Sequence, residues 1–95
     1  METYIIGHMN IKNQEKWEKY RKGAFNSLKQ FNGELIFRGS MNNILTGQYD
    51  YKLTVIIKFP TKESADAWYT SSAYQKLIPI REEAADMVLA SFETL

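Results

Sequence analysis

The chain has no cysteine in its 95 residues. That excludes disulfides, thiolate catalysis and every Cys-based metal site, and it suits a reducing cytoplasm. Histidine occurs once, at His8. One imidazole with no carboxylates at ligand spacing makes no metal site, so none is expected. Glycine-rich phosphate loops, G-x-S-x-G elbows and dinucleotide fingerprints are also missing, and no cofactor is expected. An excess of either charge is lacking: 12 basic and 11 acidic residues leave a net charge of +1. Such a balance gives no electrostatic reason to expect nucleic acid or an anionic membrane surface as a partner. No apolar run approaches the roughly 20 residues of a membrane span. The first residues lack a basic segment followed by an apolar one, so no signal peptide is expected and the expected location is the cytoplasm.

What is present is globular. The hydrophobic fraction is 44% and the aromatic fraction 14%, which argues against disorder. The length predicts a single domain over residues 1–95 with little core to spare. Thr3 to Met9 reads as a strand. Asn13 offers an N-cap, with Glu15 in the first turn. Trp17, Tyr20, Ala24, Leu28 and Phe31 then recur at helical spacing. Gly23, inside that helix, suggests close packing on a sheet, and Asn32-Gly33 supplies a left-handed stop with Gly33 at positive φ. A second strand runs through Leu35 to Arg38, with a bulge at Gly39 and a bent extension from Met41 to Thr46. Gly47 to Asp50 is a turn, and Tyr51 to Phe59 is the clearest strand. Thr61 caps the next helix, on which Ala65 and Trp68 share a face. Ser72 and Gln75 read as a capping box opening a further short helix, and Pro79 as an early position of a third, carrying Arg81. Asp86 to Phe92 closes as a strand.

The order β-α-β-β-α-β predicts an α+β fold: a four-stranded antiparallel sheet with the helices on one face. The strands are apolar on both sides. Ile5 and Met9 oppose Tyr4 and Ile6, and Val88 and Phe92 oppose Met87 and Leu89. A solvated face would alternate more cleanly, so a second copy of the chain is expected to cover the helix-free face as a two-fold homodimer.

Three segments resemble those of the family called domain of unknown function 1330. They are Gly33 to Gly39, Ile56 to Pro60, and Ala67-Trp68-Tyr69-Thr70-Ser71-Ser72-Ala73-Tyr74-Gln75 with Arg81. Together with Tyr4, Trp17 and Tyr20 they span essentially the whole chain. The resemblance implies a ferredoxin-like fold of the dimeric α+β barrel group. That group also holds small monooxygenases acting on aromatic polyketides, enzymes that degrade haem, and many members of unassigned activity. The chain departs from the family pattern at Asn32, where a glycine is usual, at Thr46, where an acidic residue often precedes the turn glycine, and in its last four residues.

The chemistry-bearing residues admit two readings. His8 is either a general base or a strand histidine satisfied by one hydrogen bond. Arg38 and Arg81 either pair with carboxylates or wait in a cleft for an anion. Trp68 belongs to the core or to a ligand wall, and Tyr69 and Tyr74 lock a corner or donate to a ligand. In the first reading, a homodimeric protein binds a small aromatic or anionic molecule in a pocket between sheet and helices. It catalyses a cofactor-independent monooxygenase-like or isomerase-like step, with His8 and Tyr69 catalytic and Arg38, Trp68, Tyr74 and Arg81 binding. In the second, the protein is a non-catalytic binding or interaction module and the same residues form a structural corner. Haem degradation is a weaker branch, with His8 the sole imidazole for an axial ligand.

Overall fold

The computed structural model describes residues 1–95. Strand β1 (Thr3–Ile11) leads into helix α1 (Gln14–Ser27), a 3-10 turn (Lys29–Phe31), β2 (Glu34–Ser40), β3 (Leu53–Phe59), α2 (Lys62–Thr70), α3 (Ser72–Gln75), α4 (Ile78–Ala84) and β4 (Ala85–Glu93). The sheet order is β2-β3-β1-β4, and every pairing is antiparallel. This is the expected α+β architecture. β1 lies centrally, flanked by β3 and β4, because its alternate residues Ile5 and Met9 supply apolar surface to the helix side. They join Ile57 and Phe59 of β3, Trp17 and Tyr20 of α1, and Ala65 and Trp68 of α2 in the buried core.

Helices α1, α2 and α3 begin where a side chain satisfies a free N–H group. Asn13 Oδ1 accepts from Lys16 N at 3.0 Å and Thr61 Oγ1 from Ser64 N at 3.1 Å. The cap of α3 is Ser71, whose Oγ accepts from Tyr74 N at 3.2 Å. Ser72 is therefore the first helical residue and not the cap, and the register is set one residue earlier than the Ser72–Gln75 pattern suggests. Pro79 sits at the start of α4, where its missing N–H costs nothing.

Four local expectations are corrected. The left-handed residue ending the first helical segment is Asn32, with φ 58°, and Gly33 is not at positive φ. An asparagine tolerates that conformation because its short polar side chain bonds locally. Gly33 is instead required by packing: a Cβ there would lie 2.8 Å from the Phe59 ring and 3.0 Å from Leu28 Cδ2. Gly23 gives close approach not to the sheet but to Leu77, whose Cδ2 lies 2.8 Å from where a Cβ would stand. Residues 41–46 do not extend β2; they begin a long connection after a last rung from Met41 N to Lys52 O of 2.8 Å.

The fourth correction matters most. The bulge in β2 lies between Leu35 and Phe37 and not at Gly39. Leu35 pairs with Ile57, the bulged Ile36 has no partner, and Phe37 pairs with Ile56 and Arg38 with Val55. Ile57 and Val55 face the helices, because they pair with Ile5 and Gly7 of β1, whose neighbours along the strand are buried. One extra residue reverses the in-out parity of everything after it. Phe37 is thereby turned to the helix-free face and Arg38 to the helix face.

Candidate ligand cavity between helix and sheet

Helix α1 does not close down onto β2 and β3. Between them lies a cavity of about 460 Å³, with 14 hydrophobic residues among the 21 that line it. All four strands contribute to its floor, through residues such as Met9, Leu35, Val55 and Met87. Trp17 and Tyr20 of α1 and Trp68 of α2 supply aromatic wall. The volume is that of a small-molecule site, and the composition is that of an apolar one with few polar groups.

The charged groups on the lining are Glu18, Arg21 and Arg38. Arg21 Nη2 donates to Glu18 Oε2 at 2.7 Å. That bond holds the Glu18 carboxyl below its usual range, and Arg38 adds to the effect through space. Arg21 Nε is buried with no partner. Arg38 is exposed and belongs to none of the ion pairs. Two guanidinium groups thus meet one carboxylate, leaving a local excess of one positive charge at an apolar cavity. Arg21 escaped the sequence reading although the signal was there. It stands four residues after Trp17 and three before Ala24, so it is a cation on the apolar stripe of α1.

Trp68 is 1% exposed and gives its indole N–H to Ser27 Oγ at 2.8 Å. Ser27 Oγ in turn donates to Ala24 O at 2.6 Å, so the indole is satisfied within the core and presents only ring surface to the cavity. Tyr74 is fully buried and lies behind that wall. Its hydroxyl is 2.8 Å from the Tyr20 hydroxyl and accepts from Arg81 Nη1 at 3.0 Å. Arg81 Nη2 also donates to Glu82 Oε1 at 2.8 Å. Burial works against the Arg81 charge, but the bonds to Glu82 and to the tyrosine hydroxyls outweigh it and its pKa rises. Burial, reinforced by the neighbouring Tyr74, pushes the Tyr20 phenol well above the ordinary tyrosine value. Tyr69 is 38% exposed and borders a separate depression between α2 and β4, with Ile5, Ala65 and Ser91.

His8 is elsewhere. It pairs across the sheet with Thr54 and Val88, on the face away from the helices. Its Nδ1 lies 3.1 Å from Thr54 Oγ1 and also meets the Tyr49 hydroxyl. The connection carrying Tyr49 is tied down by Asn10, which donates to Asp50 O at 2.7 Å and accepts from Lys52 N at 3.0 Å. The expected convergence on one cavity therefore divides into four places. Arg38 and Trp68 share the cavity. Tyr74 and Arg81 stand behind it, linked to it by Tyr20. Tyr69 is on another depression, and the sheet separates His8 from all of them. Strand parity is the reason: His8 is one residue before Met9, which faces the helices.

A model of the family described as Domain of unknown function (DUF1330) matches residues 2–95. The chain belongs to this family. No curated protein matches it. Among solved structures, a protein of unknown function from Rhodopseudomonas palustris aligns with TM-score 0.84 at 13% identity, over 99% of this chain and 82% of that one. SnoaB, a cofactor-independent oxygenase from Streptomyces nogalater, aligns with TM-score 0.72 at 6% identity, over 99% and 93% of the two chains. A dimeric ferredoxin-like protein of unknown function from Jannaschia sp. CCS1 aligns with TM-score 0.70 at 11% identity, over 99% and 100%. At such identities the likeness establishes the ferredoxin-like fold and nothing finer. No helix of the chain is long and apolar enough to cross a membrane.

Proposed function

We propose that the protein is a homodimer in which each copy binds a small amphipathic anion: an aromatic or similarly flat apolar body under α1, with a carboxylate or other anionic group at Arg38. The observation that carries this reading is the unpaired Arg38 guanidinium on the rim of an apolar cavity of about 460 Å³. An arginine in such a position has its planar donors available for an oxyanion. Burial of the ligand body supplies the bulk of the affinity and the ion contact its orientation.

Binding is favoured over catalysis by His8. The cavity lining contains Glu18 as its one carboxylate, already bonded to Arg21, and His8 lies across the sheet. A cofactor-independent oxygenation or an isomerisation needs a proton acceptor at the substrate. SnoaB is described as such an oxygenase; here the lining offers a donor, Tyr20, more clearly than a base.

The dimer reading rests on the helix-free face, where Tyr4, Ile6, Phe37, Ile56, Val88 and Phe92 lie together. Phe37 is 50% exposed, Val88 47% and Phe92 51%. An apolar face of this kind is a contact surface, and the Jannaschia relative of the same fold is described as dimeric. A standard interface would cover about 800 Å² on each copy. Sedimentation should show a dimer at micromolar concentration and Phe37→Lys should yield a monomer; a monomeric wild type overturns this assembly.

Ligand binding is testable without knowing the ligand. Trp17 and Trp68 are the only tryptophans and both line the cavity. Titration with 2-naphthoate should quench their fluorescence, whereas Arg38→Ala should weaken that binding roughly tenfold and leave binding of neutral 2-naphthylmethanol unchanged. Failure of both probes to quench would refute the cavity as a binding site.

A further inference from the structure

The Tyr20 side chain lines the cavity, and the bonds around its hydroxyl leave that proton without an acceptor within the protein. Arg81 Nη1 can only donate, so the Tyr74 oxygen accepts from it at 3.0 Å. The Tyr20–Tyr74 contact of 2.8 Å uses the proton of one hydroxyl or the other. If Tyr20 donated, the Tyr74 proton would need an acceptor. Tyr74 is 0% exposed, and its hydroxyl meets only Tyr20 and Arg81. A stranded buried donor of that kind is costly and rare. If Tyr74 donates, the whole chain is satisfied and the Tyr20 proton is left over. Tyr20 borders the cavity and Tyr74 does not.

We propose that Tyr20 donates this proton, in a hydrogen bond, to a ligand oxygen inside the cavity, and that the oxygen is of carbonyl, enolate or phenolate type. The proposal rests on the cavity being a binding site and deepens it. The ligand then has two polar ends across an apolar body, an anionic group at Arg38 and an oxygen acceptor at Tyr20. The chain Arg81→Tyr74→Tyr20 runs from a fixed cation toward the ligand. Each bond polarises the next, which strengthens the last donor, and a preorganised donor of this kind stabilises developing negative charge on oxygen. Tyr20 acts as a donor and not as a base, because its burial beside Tyr74 keeps the phenol protonated.

The test uses 2-naphthol, which is small, aromatic and ionises at a single oxygen. An apolar cavity without a donor disfavours the charged form of a bound group. In wild-type protein, naphtholate absorption of the bound probe should appear at lower pH than in water. Tyr20→Phe should lower the affinity for naphtholate roughly tenfold or more while tryptophan quenching by neutral naphthol persists. Arg38→Ala should diminish the shift to low pH less than Tyr20→Phe does. Ionisation of the bound probe at or above its pH in water, in the wild type, overturns the assignment without recourse to any variant. So does unchanged naphtholate affinity in Tyr20→Phe, or loss of the effect in Arg38→Ala, which would give the role to Arg38. In those three outcomes the cavity reading survives, since the probe still quenches. No quenching by 2-naphthol overturns this assignment, and no quenching by 2-naphthoate and 2-naphthylmethanol as well removes the cavity reading with it.

Discussion

Changing Tyr74 to Phe tests whether the buried phenol chain is built as a unit. The substitution removes one oxygen from a fully buried site and creates almost no cavity, so packing loss is a minor part of its cost. What it does create is two broken contacts: Tyr20 loses the neighbour at 2.8 Å, and Arg81 Nη1 loses the acceptor at 3.0 Å. Arg81 retains Glu82. A buried polar group stripped of its partner costs about 1–3 kcal/mol, so roughly 2 kcal/mol is expected for Tyr74→Phe. For a domain of this size that lowers Tm by roughly 8–16 °C. Tyr20→Phe should cost about 1–2 kcal/mol, because it strands the Tyr74 proton but leaves the bond from Arg81 in place. In the Tyr74→Phe background the same Tyr20→Phe change removes a hydroxyl that is already unpartnered. The double variant should therefore be no less stable than Tyr74→Phe alone, a coupling of about 1–2 kcal/mol against additivity. Urea unfolding of the four proteins, at constant m, measures it. Additivity within about 0.5 kcal/mol would show that the hydroxyls act independently, and the directional argument for Tyr20 would lose its basis.

Gly33→Ala should destabilise by about 1–3 kcal/mol through overpacking, since its Cβ would press on the Phe59 ring at 2.8 Å and Phe59 is 0% exposed; a neutral melt would show that the ring can yield. Ser71→Ala should cost about 1 kcal/mol as the loss of a cap, while Ser72→Ala should be near neutral. The reverse ranking in thermal melts would restore Ser72 as the cap.

The fold was legible because its signals are local and redundant. Asn13, Thr61 and Pro79 mark helix starts by side-chain chemistry, and the Trp17–Tyr20–Ala24 spacing marks a buried helical stripe. What the sequence conceals is parity. Nothing in Leu35-Ile36-Phe37-Arg38 announces that Ile36 is the extra residue, because three consecutive apolar residues fit either face. Gly39 attracted the bulge assignment as a glycine, yet its lack of a Cβ serves the Phe37 ring, which would lie 2.5 Å from one. The candidate site scattered for a related reason. His8, Tyr69, Tyr74 and Arg81 are chemically conspicuous, but conspicuous residue types carry no direction. Arg21 and Tyr20, which do reach the cavity, look like ordinary members of an amphipathic helix.

The bulge at Ile36 joins the two parts of the functional reading. With regular pairing after Leu35, Ile36 would oppose Ile56, Phe37 would oppose Val55, and Arg38 would oppose Thr54. Phe37 would then fill the cavity mouth, and Arg38 would stand beside Thr54 and Ile56 on the face proposed for the partner copy. A guanidinium there would have to be desolvated on association, at a cost of several kcal/mol without a partner. The observed register instead gives the aromatic ring to the apolar face and the cation to the rim of the cavity. One inserted residue thus permits an apolar interface and an anion-reading site on the same short strand. That is the use to which bulges beside functional sites are put, and it explains why β2 tolerates the irregularity in a chain with little core to spare.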